Sequence, residues 1–149
     1  MQSDNIVGII GLGNMGGAMA RNLLDEGWTI VGYDRDEEVL SSMVEYGLMM
    51  GDSPVDIADR ADIIITSLPT PEAVETVYLS DNGIKKSKEK QFVALEMSTI
   101  SPHTIKKIDN LLDIDLLDAP VSGGPEKALD GSLTLMVGGE RRVYNQNLI

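Results

Sequence analysis

The chain has 149 residues, 42% apolar and 24% charged, a composition that fits one folded domain and not a disordered chain. Twenty-four acidic residues against 12 lysines and arginines give a formal charge of −12, which argues against a nucleic-acid partner and against docking on an anionic membrane. Cysteine is absent, which removes disulfides and thiolate zinc sites; no other metal site is expected.

The longest apolar run, from Ile6 to Leu12, is broken by glycine and too short to span a bilayer. The first residues have neither the basic start nor the apolar core of a signal peptide, so a cytoplasmic protein is expected. Lys85, Lys86, Lys88 and Lys90 form the one basic cluster and read as a solvated loop.

The predicted elements alternate. Ile6–Ile10 reads as a buried parallel strand. Met15, Met19 and Leu23, four apart, make one stripe of a helix that Gly27 stops. Trp28–Tyr33 is a second strand. Val39, Leu40, Met43 and Val44 make a second helical face, closed by Gly47. Leu48–Met50 is a short third strand. Ser53-Pro54 opens a helix to Arg60 as N-cap and first-turn proline.

Ile63–Ser67 is a fourth strand, with a helix from Pro71 to Leu79 after it. Phe92–Glu96 is a fifth, and Ser101-Pro102 opens another helix, lined by Ile105, Ile108 and Leu112. Leu116–Ala119 and Leu133–Val137 read as two more strands, the last of either direction. Strands alternating with helices imply right-handed crossovers. The expected fold is α/β, a Rossmann-type doubly wound and mostly parallel sheet in a single domain over 1–149.

Gly11-Leu12-Gly13-Asn14-Met15-Gly16 fits the dinucleotide pattern G-x-G-x-x-G and lies between a strand and an amphipathic helix, as that pattern requires. Gly11 allows the tight turn, Gly13 lets backbone approach a pyrophosphate, and Gly16 lets helix and strand pack closely. The helix N-terminus offers free N–H groups and the positive end of its dipole. Asp34 ends the second strand, 23 positions after Gly11. It can accept both ribose hydroxyls and would repel a 2′-phosphate, which favours NAD over NADP; the plainer alternative is a turn or cap residue. Arg35 could pair with a 2′-phosphate or be a surface arginine.

These residues resemble the β-hydroxyacid dehydrogenase family, which includes 3-hydroxyisobutyrate dehydrogenase, tartronate semialdehyde reductase and, more distantly, 6-phosphogluconate dehydrogenase. Gly11 to Leu23 is similar to the family's cofactor signature. Asp118-Ala119-Pro120-Val121-Ser122-Gly123-Gly124 is similar to its substrate signature, and Met136-Val137-Gly138-Gly139 to the strand that follows. The resemblance implies hydride exchange between NAD(P) and the carbinol carbon of a small β-hydroxyacid. It implies that Leu68-Pro69 packs beside the cofactor and that Thr99 stands near the nicotinamide. It assigns Ser122, Gly123 and Gly124 to the substrate carboxylate. Each has a plainer alternative: a strand end for Leu68-Pro69, a helix cap for Ser98-Thr99, a turn for Ser122–Gly124. His103, the only histidine, reads as a surface residue, and Glu96 stands where many relatives have aspartate.

Family members continue well beyond this length, with a helical domain and a catalytic lysine in a glycine-rich stretch followed by asparagine. No residue here matches that lysine; Lys127 reads as lying in the loop after Gly124. The expectation is a cofactor domain, a cut piece or a natural short product, that binds NAD without turnover. The alternatives are a non-catalytic nucleotide-binding module and the cofactor domain of an imine reductase. Leu133, Leu135, Met136, Val143 and Leu148 are expected to form an exposed seam that favours a homodimer.

Overall fold

The first strand, β1 (Ile6–Ile10), is apolar at successive positions because both of its faces are covered. Val7 and Ile9 enter one core cluster and Ile10 enters another on the opposite face. In this computed structural model, which describes residues 4–88 and 91–147, the period of two recurs along the sheet. Lys90 and Leu148, named above, lie outside the described residues.

The glycine turn leads into α1 (Asn14–Asp25). Then come β2 (Thr29–Tyr33), α2 (Glu37–Tyr46), β3 (Met49–Met50), α3 (Pro54–Arg60), β4 (Ile63–Thr66) and α4 (Pro71–Leu79). A 3₁₀ turn over Ile84–Lys86 precedes β5 (Val93–Glu96), α5 (Pro102–Leu111) and β6 (Asp115–Asp118). The rest is β7 (Val121–Ser122), α6 (Gly124–Asp130), β8 (Thr134–Leu135), β9 (Gly138–Gly139) and α7 (Arg141–Gln146).

Local chemistry fixes several of these ends. Asp36 caps α2 by accepting from Glu38 N and Val39 N, Ser53 caps α3, and Thr70 caps α4, the last two followed by proline at the first helical position. Ser101 precedes Pro102 in the same way but makes no side-chain cap bond. Gly47 ends α2 at φ +129°, a conformation that side chains disfavour.

The main sheet has the order β3-β2-β1-β4-β5-β6-β9, parallel throughout except for β9. The chain moves outward from β1 through β2 to β3, then returns to pair β4 with β1 and continues the other way. That reversal is a topological switch point, the place where such sheets leave a crevice at their carboxyl ends. Helices α1, α2 and α6 contribute to one core cluster (Met19, Leu40, Met43, Ala128). Helices α3, α4 and α5 contribute to the other (Ile57, Val74, Tyr78, Ile108). Gly8 sits mid-strand because α3 presses on it: a Cβ there would stand 2.4 Å from Ile57 Cγ2.

The end of the chain departs from expectation. Leu133–Val137 is not one strand. Thr134–Leu135 pairs antiparallel with Val121–Ser122 as a separate ribbon, and Gly138–Gly139 runs antiparallel on the edge of β6. A Cβ at Gly139 would stand 2.8 Å from Leu117 Cδ2, so the glycine backbone, not the apolar run before it, makes the edge contact. Lys127 lies on α6 and not in a loop. Val143 is buried against Val93 and Leu117, because α7 folds back onto the sheet; it is not part of an exposed seam. Leu135, Met136 and Val137 are exposed, and Leu133 is half-buried.

Val143→Ala removes two buried methyl groups and should cost about 1–3 kcal/mol in urea unfolding, whereas Leu135→Ser should stay within about 0.5 kcal/mol of the parent.

Candidate functional site

The carboxyl ends of the parallel strands carry the predicted site residues. The turn after β1 folds onto the end of β4. Gly11 has φ +94°, and a Cβ on it would lie 2.1 Å from the Ser67 carbonyl oxygen. Gly16 faces back on the same turn, where a Cβ would lie 1.8 Å from the Gly11 oxygen. Gly13 differs: it is exposed and nothing lies within 4 Å of a Cβ built on it. Two of the three glycines are therefore required by the protein's own backbone, and the third leaves a cradle that a Cβ would fill.

Gly13 is also the N-cap of α1, with no side-chain cap and no acidic residue in the first turn. Asp36, Ser53 and Thr70 occupy that place on α2, α3 and α4. The leading N–H groups of α1 are thus left without a capping side chain, beside a position kept clear of one. This suits a phosphate oxygen, so the residues present fit a dinucleotide. Leu12 is buried and Met15 half-buried against the α1 side of the core, while Asn14 is exposed at the helix start.

Asp34 is half-buried, and its carboxylate already joins two segments. Oδ2 accepts from Leu12 N at 2.8 Å and Oδ1 accepts from Asp36 N at 2.8 Å. The turn role raised from the sequence is therefore present. Each oxygen takes one protein donor and can accept another. Arg35 is exposed next to it and joins no ion pair among the described residues.

Leu68, Pro69 and Thr99 lie on the loops after β4 and β5. Leu68 is half-buried; Pro69 and Thr99 are exposed. Ser98 does not cap a helix. Its Oγ accepts from Leu68 N at 2.8 Å, tying the two loops together. Beneath it, Glu96 is fully buried. Burial raises its pKa, and its bonds to Ser98 and Thr66 partly offset that rise. The sequence reading marked Glu96 only as a departure and gave Ser98 no role here; their signal was a lone acid ending a buried strand.

Ser122 is exposed on β7. Gly123 and Gly124 have φ +133° and +70°, and they start α6. That helix packs on α1, where Asn22 Nδ2 donates to the Leu129 carbonyl at 3.0 Å. His103 is exposed on α5. Among the described residues no group of three or more His, Asp or Glu side chains could hold a metal, and no helix is long and apolar enough to cross a membrane.

The two kinds of glycine should separate in experiment. Gly13→Val should melt within a few degrees of the parent and lose stabilisation by NAD, read by thermal unfolding with and without the nucleotide. Gly16→Ala should destabilise the fold itself, by several kcal/mol, because its Cβ meets backbone.

Comparisons with known proteins agree with this geometry. The chain matches the family described as the NAD binding domain of 6-phosphogluconate dehydrogenase over residues 6–148. It is 42% identical over 142 residues to the mitochondrial 3-hydroxyisobutyrate dehydrogenase of Rattus norvegicus, covering 93% of this chain and 42% of that protein. Among solved structures it is similar to Mycobacterium tuberculosis 3-hydroxyisobutyrate dehydrogenase with L-serine. The TM-score is 0.86 and the identity 30%, over 95% of this chain and 49% of that one. It is equally similar to Psf3 in complex with NADP+ and 2-OPP, at TM-score 0.86 and 30% identity, over 94% and 51% of the two chains. The chain spans about half the length of the relatives it matches. With the match running nearly from end to end, the chain belongs to the family of the 6-phosphogluconate dehydrogenase NAD-binding domain.

Proposed function

We propose that these residues form the NAD-holding part of an oxidoreductase acting on the CH–OH group of a small β-hydroxyacid, of the 3-hydroxyisobutyrate type. The carrying observation is the open Cβ position of Gly13 at the uncapped start of α1, beside the anchored carboxylate of Asp34. The α1 N–H groups take the phosphates. The free lone pairs of Asp34 take the adenosine ribose hydroxyls. Leu68 and Pro69 flank the cofactor, and Thr99 stands at its nicotinamide end. When bound, the nicotinamide supplies the hydride acceptor. Ser122 Oγ and the turn at Gly123 and Gly124 offer donors to a substrate carboxylate.

Asp34 makes NAD the preferred cofactor, because its carboxylate repels a 2′-phosphate. Calorimetric titration should give tighter binding of NAD than of NADP, with Asp34→Ala narrowing the difference. Equal or tighter NADP binding in the parent chain would assign the choice to Arg35.

Alcohol oxidation also needs an acceptor for the hydroxyl proton, a role worth on the order of 10²–10⁴-fold. Lys127, the lysine closest in sequence to the substrate turn, lies on α6 with its stem against Gly123. It does not match the family's lysine motif. The 149-residue chain alone should therefore bind NAD and give no change in nicotinamide absorbance with 3-hydroxyisobutyrate, glycerate or related acids across a broad pH range. Robust reduction of NAD by this chain would refute the assignment. NAD binding that persists with no activity even when the second half of a relative is supplied would favour a non-catalytic module.

The exposed strip Leu135, Met136 and Val137, at 42%, 56% and 40% accessibility, supports self-association. Light scattering should detect a dimer or weak oligomer that Met136→Lys shifts towards monomer; a clean monomer up to millimolar concentration would count against it.

A further inference from the structure

We propose that Glu96 is a positioning residue for the cofactor cleft: its buried carboxyl joins the loop after β4 to the loop after β5 and so sets where Leu68-Pro69 and Thr99 stand. This rests on the reading of those three residues as cofactor neighbours.

Glu96 ends β5 and pairs in register with Thr66 at the end of β4. Its side chain is fully buried, in a sheet whose buried positions are mostly isoleucine, valine, leucine and alanine. A carboxyl in such a place costs stability unless every lone pair it presents is met. Here the donors converge on it. Thr66 Oγ1 donates to Oε2 in a short bond. Ser98 N donates to Oε1 at 2.8 Å.

Two chains of donors therefore end on this one group. In the first, the buried Tyr78 hydroxyl lies 3.1 Å from Thr66 Oγ1 and, with the threonine hydrogen turned to Glu96, donates to it. In the second, Leu68 N donates to Ser98 Oγ at 2.8 Å, and the backbone N–H of the same serine donates to Glu96. The first chain fixes the carboxyl against β4 and α4. The second carries that position outward to the backbone of Leu68, one residue before Pro69, and to Ser98, one residue before Thr99.

No packing need explains the arrangement. An apolar side chain of the same size would fill the space without a desolvation cost. An apolar residue would, however, leave the buried Ser98 N and Thr66 hydroxyl without this acceptor, and the loop would turn to find one. The acid is therefore explained by what it holds at the cleft.

The test is NAD titration by calorimetry on the full 149-residue chain, at a temperature where all variants are folded, with melting curves in parallel. Glu96→Ala should weaken NAD binding about tenfold or more. Ser98→Ala cuts only the link to Leu68 and should weaken binding severalfold with a small change in melting. Glu96→Gln keeps an acceptor for Ser98 and offers its amide N–H to Thr66, so it should restore affinity to within about twofold of the parent. Val143→Ala, a buried change on α7 in a separate core cluster with Val93 and Leu117, should lower melting and leave affinity unaltered.

Parent-like NAD affinity in Glu96→Ala overturns the proposal, and so does failure of Glu96→Gln to rescue. If Glu96→Ala does not fold, parent-like affinity in Ser98→Ala overturns it. The parent reading fails separately: NAD that does not bind the unaltered chain, or that binds Gly13→Val equally well, removes the cofactor assignment and this role with it.

Discussion

The carboxyl edge of the sheet depends on how closely the turn after β1 presses against the end of β4. Gly11 and Gly16 have no room for a Cβ because the Ser67 and Gly11 carbonyls occupy it. That contact fixes the start of α1, and with it the direction of the free N–H groups. It also joins the two strands on either side of the switch point, so the crevice has a floor before any ligand enters. Asp34 completes the arrangement from β2 by holding Leu12 N. The turn is thus gripped from both neighbouring strands, and of its three glycines only Gly13 faces open space.

A chain with a formal charge of −12 can hold an anion only if the local field differs from the global one. The structure provides this with backbone. The first turn of α1 has no acidic residue, whereas α2 carries Glu37 and Glu38 in its first turn and an aspartate cap. Helix dipole and N–H groups act over a few ångströms, while the distributed surface charge is screened over roughly a Debye length, ~8–10 Å in ordinary salt. The acidic excess is therefore compatible with the phosphate site proposed at one helix end.

Much of this was legible in the sequence because it is written in local rules. Proline after serine marked the starts of α3 and α5. Alternating apolar and helical segments gave the parallel sheet, and glycine spacing gave the turn. The errors fall where local rules conflict. Leu133–Val137 is apolar enough for a buried strand, yet Leu135 to Val137 stays exposed, and the following glycines make the sheet contact. Helix α6 begins with two glycines at positive φ and a proline, a start that reads as loop until its packing on α1 is seen. The network around Glu96 was hidden for another reason. Its members are 30 residues apart, and nothing in a single sequence places Thr66 beside Glu96 except strand register.

The same logic links the two halves of the candidate site. The substrate-signature turn is not held by its own ribbon alone, since β7 and β8 share only two residue pairs. Its firmer attachment is α6, which lies along α1. Asn22 on α1 donates to the carbonyl of Leu129 in the last turn of α6, where backbone acceptors lack helical partners, and Gly131 closes that end at φ +78° over the same asparagine. The helix that starts uncapped at the glycine turn therefore fixes, eight residues along, the element that starts at Gly124. The glycine turn and the Ser122–Gly124 turn are both attached to α1, one at its start and the other through α6, so the spacing between them is set by helix packing and not by loop length.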